Sequence, residues 1–227
     1  MANIGGDRVE SKESEKLLGL LVSSKFTWKL HIDKLCITLR QRLGLLKRIK
    51  CKVPKDKLQI IAEAIFTSKI RYGLPIYYRP RLTEEDPSCK NQDALQVLQN
   101  DMLRLISGYK RSDRINMSDL RNKAKMMSVN QLACYHIIME CKNILSHNAS
   151  KQVKEKMVRE KLNDGCTLRS QTRGDLKILM KPKNSCLGFS HFAARLWNML
   201  PEDVRNKSKP AKFKPALKQW IITTIPN

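Results

Sequence analysis

The chain has 227 residues, with 44 Lys and Arg against 21 Asp and Glu, and a formal net charge of +23. Self-repulsion on that scale opposes a compact state, so a polyanion, nucleic acid first of all, is the expected partner. Hydrophobic residues make up 41 %, enough for one domain or two small ones, while the longest apolar run, Leu17 to Val22, excludes a membrane span of ~18 residues or more.

The N-terminal stretch has no apolar segment of signal-peptide type, and the seven cysteines are odd in number and scattered. Both point to a reducing intracellular compartment, nuclear or cytoplasmic, rather than secretion with a disulfide framework. The sequons at Asn116, Asn148 and Asn206 are then expected to go unglycosylated.

Residues 1–22 read as a hairpin, with Gly5-Gly6 as turn and Leu17 to Val22 as a strand. From Thr27 the period becomes helical. Trp28, Ile32, Leu35, Leu39, Leu43 and Leu46 fall on one arc at 100° per residue, while Lys29, Arg40 and Lys47 lie opposite, with Gly44 among them. Gly44 suits close approach to a groove or phosphate, tight helix packing, or simple tolerance.

A second helix is predicted from Pro54 or Lys55 to about Tyr72, with Leu58, Ile61, Ile65 and Ile70 as its apolar side. A third spans about Asn91 to Ser107, with Leu95, Leu98, Met102 and Leu105 in register and Gly108 as C-cap. Lys110 to Arg114 form a basic turn. Helices near Met117–Lys125 and Ser128–Ser146 follow, then a polar extension and linker. Phe189–Leu200 and Phe213–Ile225 close the chain as helices. The fold class is mainly α, an N-terminal β-hairpin followed by a helical bundle and a small C-terminal helical module.

No phosphate-loop, dinucleotide, zincin or nucleophile-elbow motif occurs. The acidic clusters Glu84-Glu85-Asp86 and Glu202-Asp203 read as helix-start acids rather than a two-metal site. Cys134, His136, Cys141 and His147 are the best metal candidates. His136 points about 200° from Cys134 on a helix, so core cysteines are the expectation. Ser190 and His191 are adjacent, the wrong arrangement for a nucleophile and its base. Trp197 and Trp220 read as core residues before base-stacking platforms.

Three blocks are less generic. The first is Leu17-Leu18-Gly19-Leu20, then Phe26-Thr27-Trp28-x-x-His31-Ile32, then Arg42-Leu43-Gly44-Leu45-Leu46-Lys47-Arg48. The second is Leu95-Gln96-x-Leu98-Gln99-Asn100-x-x-Leu103-Arg104-x-Ile106-x-Gly108. The third is Phe192-Ala193-Ala194-Arg195-Leu196-Trp197-Asn198-x-Leu200-Pro201, then Phe213-Lys214-x-x-Leu217-Lys218. In this order, over about residues 4 to 220, they resemble the carboxy-terminal part of reverse transcriptases of non-LTR, LINE/jockey-like retrotransposons. Tyr72-Gly73-Leu74-Pro75-Ile76 resembles that family's turn after the second thumb helix.

The resemblance implies an end-of-palm, primer-grip-like hairpin at residues 1–24, with Leu17, Leu18 and Gly19 in the grip. It further implies a thumb-like helical domain at 25–150, an extension and linker at 151–186, and a C-terminal helical module at 187–227. The parent polymerase would use Mg, held by aspartates expected upstream; no catalytic residue, metal site or cofactor is assigned to this chain. Its expected role is a truncated, noncatalytic piece that binds the backbone of an RNA/DNA template–primer duplex beside the missing palm and fingers. The alternative is a stand-alone host protein, derived from such an element, that binds nucleic acid or another factor. The expected backbone contacts are Lys29, Arg40, Gly44, Lys47, Arg48, Arg104, Lys110, Arg111 and Arg114, which position a duplex without reading its sequence. No membrane partner is expected.

Overall fold

The computed structural model describes residues 2–4, 7–9, 12–86, 89–146, 175–176, 178 and 188–226. Mainly helical structure follows short antiparallel strands at the N-terminus. Among the described residues four strands, β1 (Ala2–Ile4), β2 (Asp7–Val9), β3 (Ser14–Leu17) and β4 (Leu20–Ser23), pair as two hairpins, β1 with β2 and β3 with β4. The helices among the described residues are α1 (Lys29–Ile49), α2 (Lys55–Ala62), α3 (Ser68–Arg71), α4 (Leu74–Tyr77), α5 (Lys90–Ser107), α6 (Met117–Lys123), α7 (Val129–Ser146), α8 (Phe189–Met199), α9 (Glu202–Arg205) and α10 (Pro210–Thr224). A π-helical turn, Glu63–Thr67, joins α2 to α3.

Two hairpins stand where one was expected, and Leu17 to Val22 is not a single strand. Leu17 pairs with Leu20, and the two residues between them take positive φ, 47° at Leu18 and 84° at Gly19. A two-residue turn of the primed kind needs that sign at both central positions to match the strand twist. The uninterrupted apolar run hides it, because Gly19 is the only turn signal there.

The chain forms two compact units, one from Met1–Gly73 and Ser88–Ala124, the other from Leu74–Pro87 and Lys125–Asn227. In the first, α1 packs on α5 and buries Ile32, Leu35, Cys36, Leu39, Leu43 and Leu46. Trp28 sits just before the helix and is only half-buried. Helix α5 answers with Leu95, Leu98, Met102, Leu103 and Ile106; Leu105, expected in that stripe, is half-buried. Each large aliphatic side chain so buried contributes roughly 1.5–3 kcal/mol. Gly108, at φ 86°, ends α5, with the amides of Gly108 and Tyr109 donating to Leu105 and Arg104 carbonyls, the Schellman pattern.

The expected helix from Lys55 to Tyr72 exists in register, but its middle is the π turn and Pro54 lies one position outside it. Its buried stripe is Leu58, Ala62, Phe66 and Ile70 rather than Leu58, Ile61, Ile65 and Ile70. A strict four-residue repeat drifts about 40° per step in a 3.6-residue helix, and the wider π turn absorbs that drift.

In the second unit α7 is central: α4, α8 and α10 each pack on it. Ser128 and Gln131 exchange side-chain-to-amide hydrogen bonds at 3.1 and 3.2 Å, a capping box that starts the helix. Asn130 pairs with the backbone of Arg81 in both directions, at 2.8 and 2.9 Å, and donates to the Pro226 carbonyl. Gln131 donates to the Ile225 carbonyl.

Glu202 and Asp203 open α9 as expected, but Glu84, Glu85 and Asp86 start no helix. The Asp86 carboxylate accepts from the amides of Leu82 and Thr83 at 2.8 and 3.1 Å and closes a loop. Helix α10 begins three residues before Phe213, with Pro210 in its first turn. Of the expected extension and linker, only Asp175, Leu176 and Ile178 are among the described residues. No described helix is long and apolar enough to cross a membrane.

Candidate nucleic-acid interface

Burial of one stripe of α1 against α5 leaves the rest of the helix outside. Lys29, Arg40 and Lys47 flank the stripe, roughly 70–90° from its centre at 100° per residue, and Arg48 lies on the far side; all four are exposed, and none makes an ion pair among the described residues. Leu30, Ile37 and Leu45 on the same helix are also exposed, at 44 %, 55 % and 48 %, so the face alternates cations with apolar side chains. A Cβ built on Gly44 would meet nothing within 4 Å. Tight helix packing is therefore not the reason for a glycine at this position, which leaves approach from outside or tolerance.

A groove of about 390 Å³ lies at the turn of the second hairpin, lined by Leu18, Gly19, Arg42, Ser68, Lys69 and Tyr72. Leu17 and Leu18 at the hairpin tip are 65 % and 83 % exposed. Arg42 is half-buried and donates to the Ile65 carbonyl in the π turn. The Lys69 ammonium sits 5.8 Å from the centre of the Tyr72 ring, within the range of a cation–π contact. Arg42, Ser68, Lys69 and Tyr72 were not expected as site residues. In the sequence Tyr72 is legible only as the end of a helix and the start of a turn, and the others carry no local signal because a π turn and a hairpin bring them together.

The seat of the hairpin is tight. The Tyr72 hydroxyl donates to the Leu18 carbonyl at 2.5 Å. A Cβ on Gly73, whose φ is 69°, would lie 2.8 Å from a Leu20 methyl. His31 accepts the Leu21 amide on Nδ1 at 3.3 Å. Burial, and then the charge of Lys69, push the His31 imidazole below its usual value, so the neutral acceptor form is favoured.

The basic turn after α5 divides into a frame and a surface. Arg104 is half-buried and its Nη1 donates to the carbonyls of Lys110 and Asp113, at 3.0 and 2.8 Å. The Asp113 carboxylate accepts the Lys110 amide at 2.7 Å. Arg104 thus builds the turn, whereas Lys110, Arg111 and Arg114 are exposed on it. Arg111 lies 3.7 Å from Asp101 with its side chain 81 % exposed, a pairing worth little in water. Lys29, Arg40, Lys47 and Arg48 share one helix, and the Lys110–Arg114 turn belongs to the same unit.

Cys134 and Cys141 are buried in α7. Burial raises both thiols, Cys141 to about 12, as expected for packed thiols rather than thiolate ligands. His136 is half-buried, 5.5 Å from the Tyr135 ring, and His147 lies outside the described residues. Among the described residues no group of three or more His, Cys, Asp or Glu is gathered to hold a metal ion. Trp197 is buried, but Trp220 is only half-buried, which corrects its assignment to the core.

No family model, no curated protein and no solved structure matches this chain.

Proposed function

We propose that this chain is the thumb-bearing piece of an RNA-directed DNA polymerase of the non-LTR retrotransposon type, and that it holds template–primer duplex by the phosphate backbone without catalysing a step. Its partners in that reading are the RNA/DNA duplex and the palm and fingers of the polymerase, which would carry the Mg-binding aspartates. The observation that supports the reading best is the outward side of α1, where Arg40, Lys47 and Arg48 stand exposed around an open Gly44, with Lys29 exposed about four turns away. Cations spaced along one rigid helix neutralise phosphates and release their counterions, while a residue without a side chain lets the duplex approach the helix backbone. Exposed Leu30 and Ile37 beside them offer apolar contact to sugars in a groove.

The test is equilibrium binding of a labelled RNA/DNA template–primer duplex as salt is raised. With about 6–10 phosphates engaged, affinity falls roughly 10³–10⁵-fold between 50 and 200 mM salt. An Arg40→Glu/Lys47→Glu double variant is expected to bind far more weakly, with a shallower salt slope. Unchanged binding by that variant sinks the assignment, and templated primer extension by the chain alone would overturn the noncatalytic role.

A further inference from the structure

The turn between α8 and α9 is built to hold a peptide segment. Asn198, near the end of α8, pairs with the backbone of Leu176 in both directions. The Leu176 amide donates to Oδ1 at 2.7 Å, and Nδ2 donates to the Leu176 carbonyl at 3.0 Å. An amide side chain used this way imitates a neighbouring strand, satisfying both polar groups of one residue regardless of its side chain.

Arg205 on α9 completes the arrangement. Its Nε donates to the Leu200 carbonyl at 2.8 Å and its Nη2 to the Asn198 carbonyl at 2.9 Å. Those acceptors are left over where α8 stops before Pro201. Two guanidinium nitrogens are therefore fixed by the scaffold itself, and the third, Nη1, reaches the Asp175 carboxylate at 2.8 Å. The pair is enclosed, with side-chain exposures of 9 % for Arg205 and 12 % for Asp175. Leu176 is buried as well, at 4 %. The contacts span 22 and 30 positions of chain.

Three recognition elements thus converge on two consecutive residues: a fork for the backbone, a fixed cation for an acid, and a buried seat for a leucine. The cation is positioned by the scaffold rather than by its acid, which is the asymmetry of a receptor and its ligand. We propose that the α8–α9 turn is a recognition site for an Asp-Leu peptide segment, occupied in cis by Asp175–Leu176 and open to the same segment of a second copy of the chain by exchange. The site is independent of duplex binding by α1.

The test uses the full chain and a labelled peptide of residues 171–180. In the Asp175→Ala/Leu176→Ala variant the cis segment keeps only its backbone contacts to Asn198 and loses its acid and its leucine, so the peptide should displace it and bind saturably, at least tenfold more tightly than to the wild-type chain. Adding Arg205→Gln to that variant, or replacing the peptide's Asp and Leu by Ala, should abolish the gain. If the double variant fails to fold, Asp175→Asn, which keeps the shape and removes the charge, is used instead. It should give the same order of peptide affinities and faster hydrogen exchange at the Leu176 amide. Equal binding by wild type and vacated variants, or equal capture of the Ala peptide, would overturn the proposal.

Discussion

The Tyr72 hydroxyl donates to the carbonyl of Leu18 at 2.5 Å, bridging 54 positions of sequence, and by that bond the end of α3 fixes the tip of a hairpin. The neighbouring Gly73 makes the approach feasible, since any Cβ there would press on Leu20. Leu20 is itself buried, so the strand that follows the turn is held from below while Leu17 and Leu18 remain outside.

Removing the hydroxyl with Tyr72→Phe should cost about 0.5–1.5 kcal/mol, toward the low end because Tyr72 is 53 % exposed. Gly73→Ala should cost more. The left-handed conformation alone is worth about 1–2 kcal/mol against an L side chain, and Leu20 must also shift. Denaturant unfolding of both variants checks the order; equal stabilities would mean that the hairpin is not seated on this turn.

His31 makes the same seat sensitive to pH. Its Nδ1 accepts the Leu21 amide, and protonation removes that acceptor. The folded value lies below the ordinary 6.5 because of burial and Lys69, so the unfolded chain takes up the proton first. The contribution is complete above about pH 6.5 and is lost as pH falls from there through the lower folded value. Thermal midpoints between pH 8 and 5 should therefore decline in the wild type, and decline less in His31→Asn, once the carboxylates common to both chains are subtracted.

The helical stripes were legible because burial on one side imposes a 3.6-residue period. For α1 and α5 that period located the seam within a residue or two. What stayed hidden depends on contacts distant in sequence or on backbone geometry without a distinctive residue. The Leu18–Gly19 turn lies inside an apolar run. The π turn shifts the stripe from Ile61 and Ile65 to Ala62 and Phe66. Arg104 resembles any other cation of the basic turn until the Lys110 and Asp113 carbonyls are seen to surround it. Of the candidate interface, the α1 cations follow from the period alone, whereas Arg42, Lys69 and Tyr72 meet only because α1, α3 and the hairpin turn converge.

Asn130 in the second unit gives a prediction separate from any partner. Its amide satisfies both backbone groups of Arg81 and also the Pro226 carbonyl, and the residue is buried at 6 % exposure. Asn130→Ala strands those groups, at a cost of about 1–3 kcal/mol for each one left buried and unpaired. The thermal midpoint should fall by several degrees. Hydrogen exchange should quicken first at the Arg81 amide, and a variant with unchanged exchange there would refute the role.

Gly44 separates stability from binding. A methyl group at this position meets no neighbour, and alanine is preferred to glycine in a helix by about 0.8–1 kcal/mol. Gly44→Ala should therefore raise the thermal midpoint by a few degrees. A bulky Gly44→Phe should also fold, because its ring points away from the α1–α5 seam, yet it stands between the cations of the outward face. Duplex affinity should be nearly unchanged in Gly44→Ala and fall at least tenfold in Gly44→Phe if nucleic acid approaches the helix backbone there. Should both variants bind duplex as the wild type does, glycine at this position is mere tolerance, and the phosphate contacts belong to the Lys110–Arg114 turn instead.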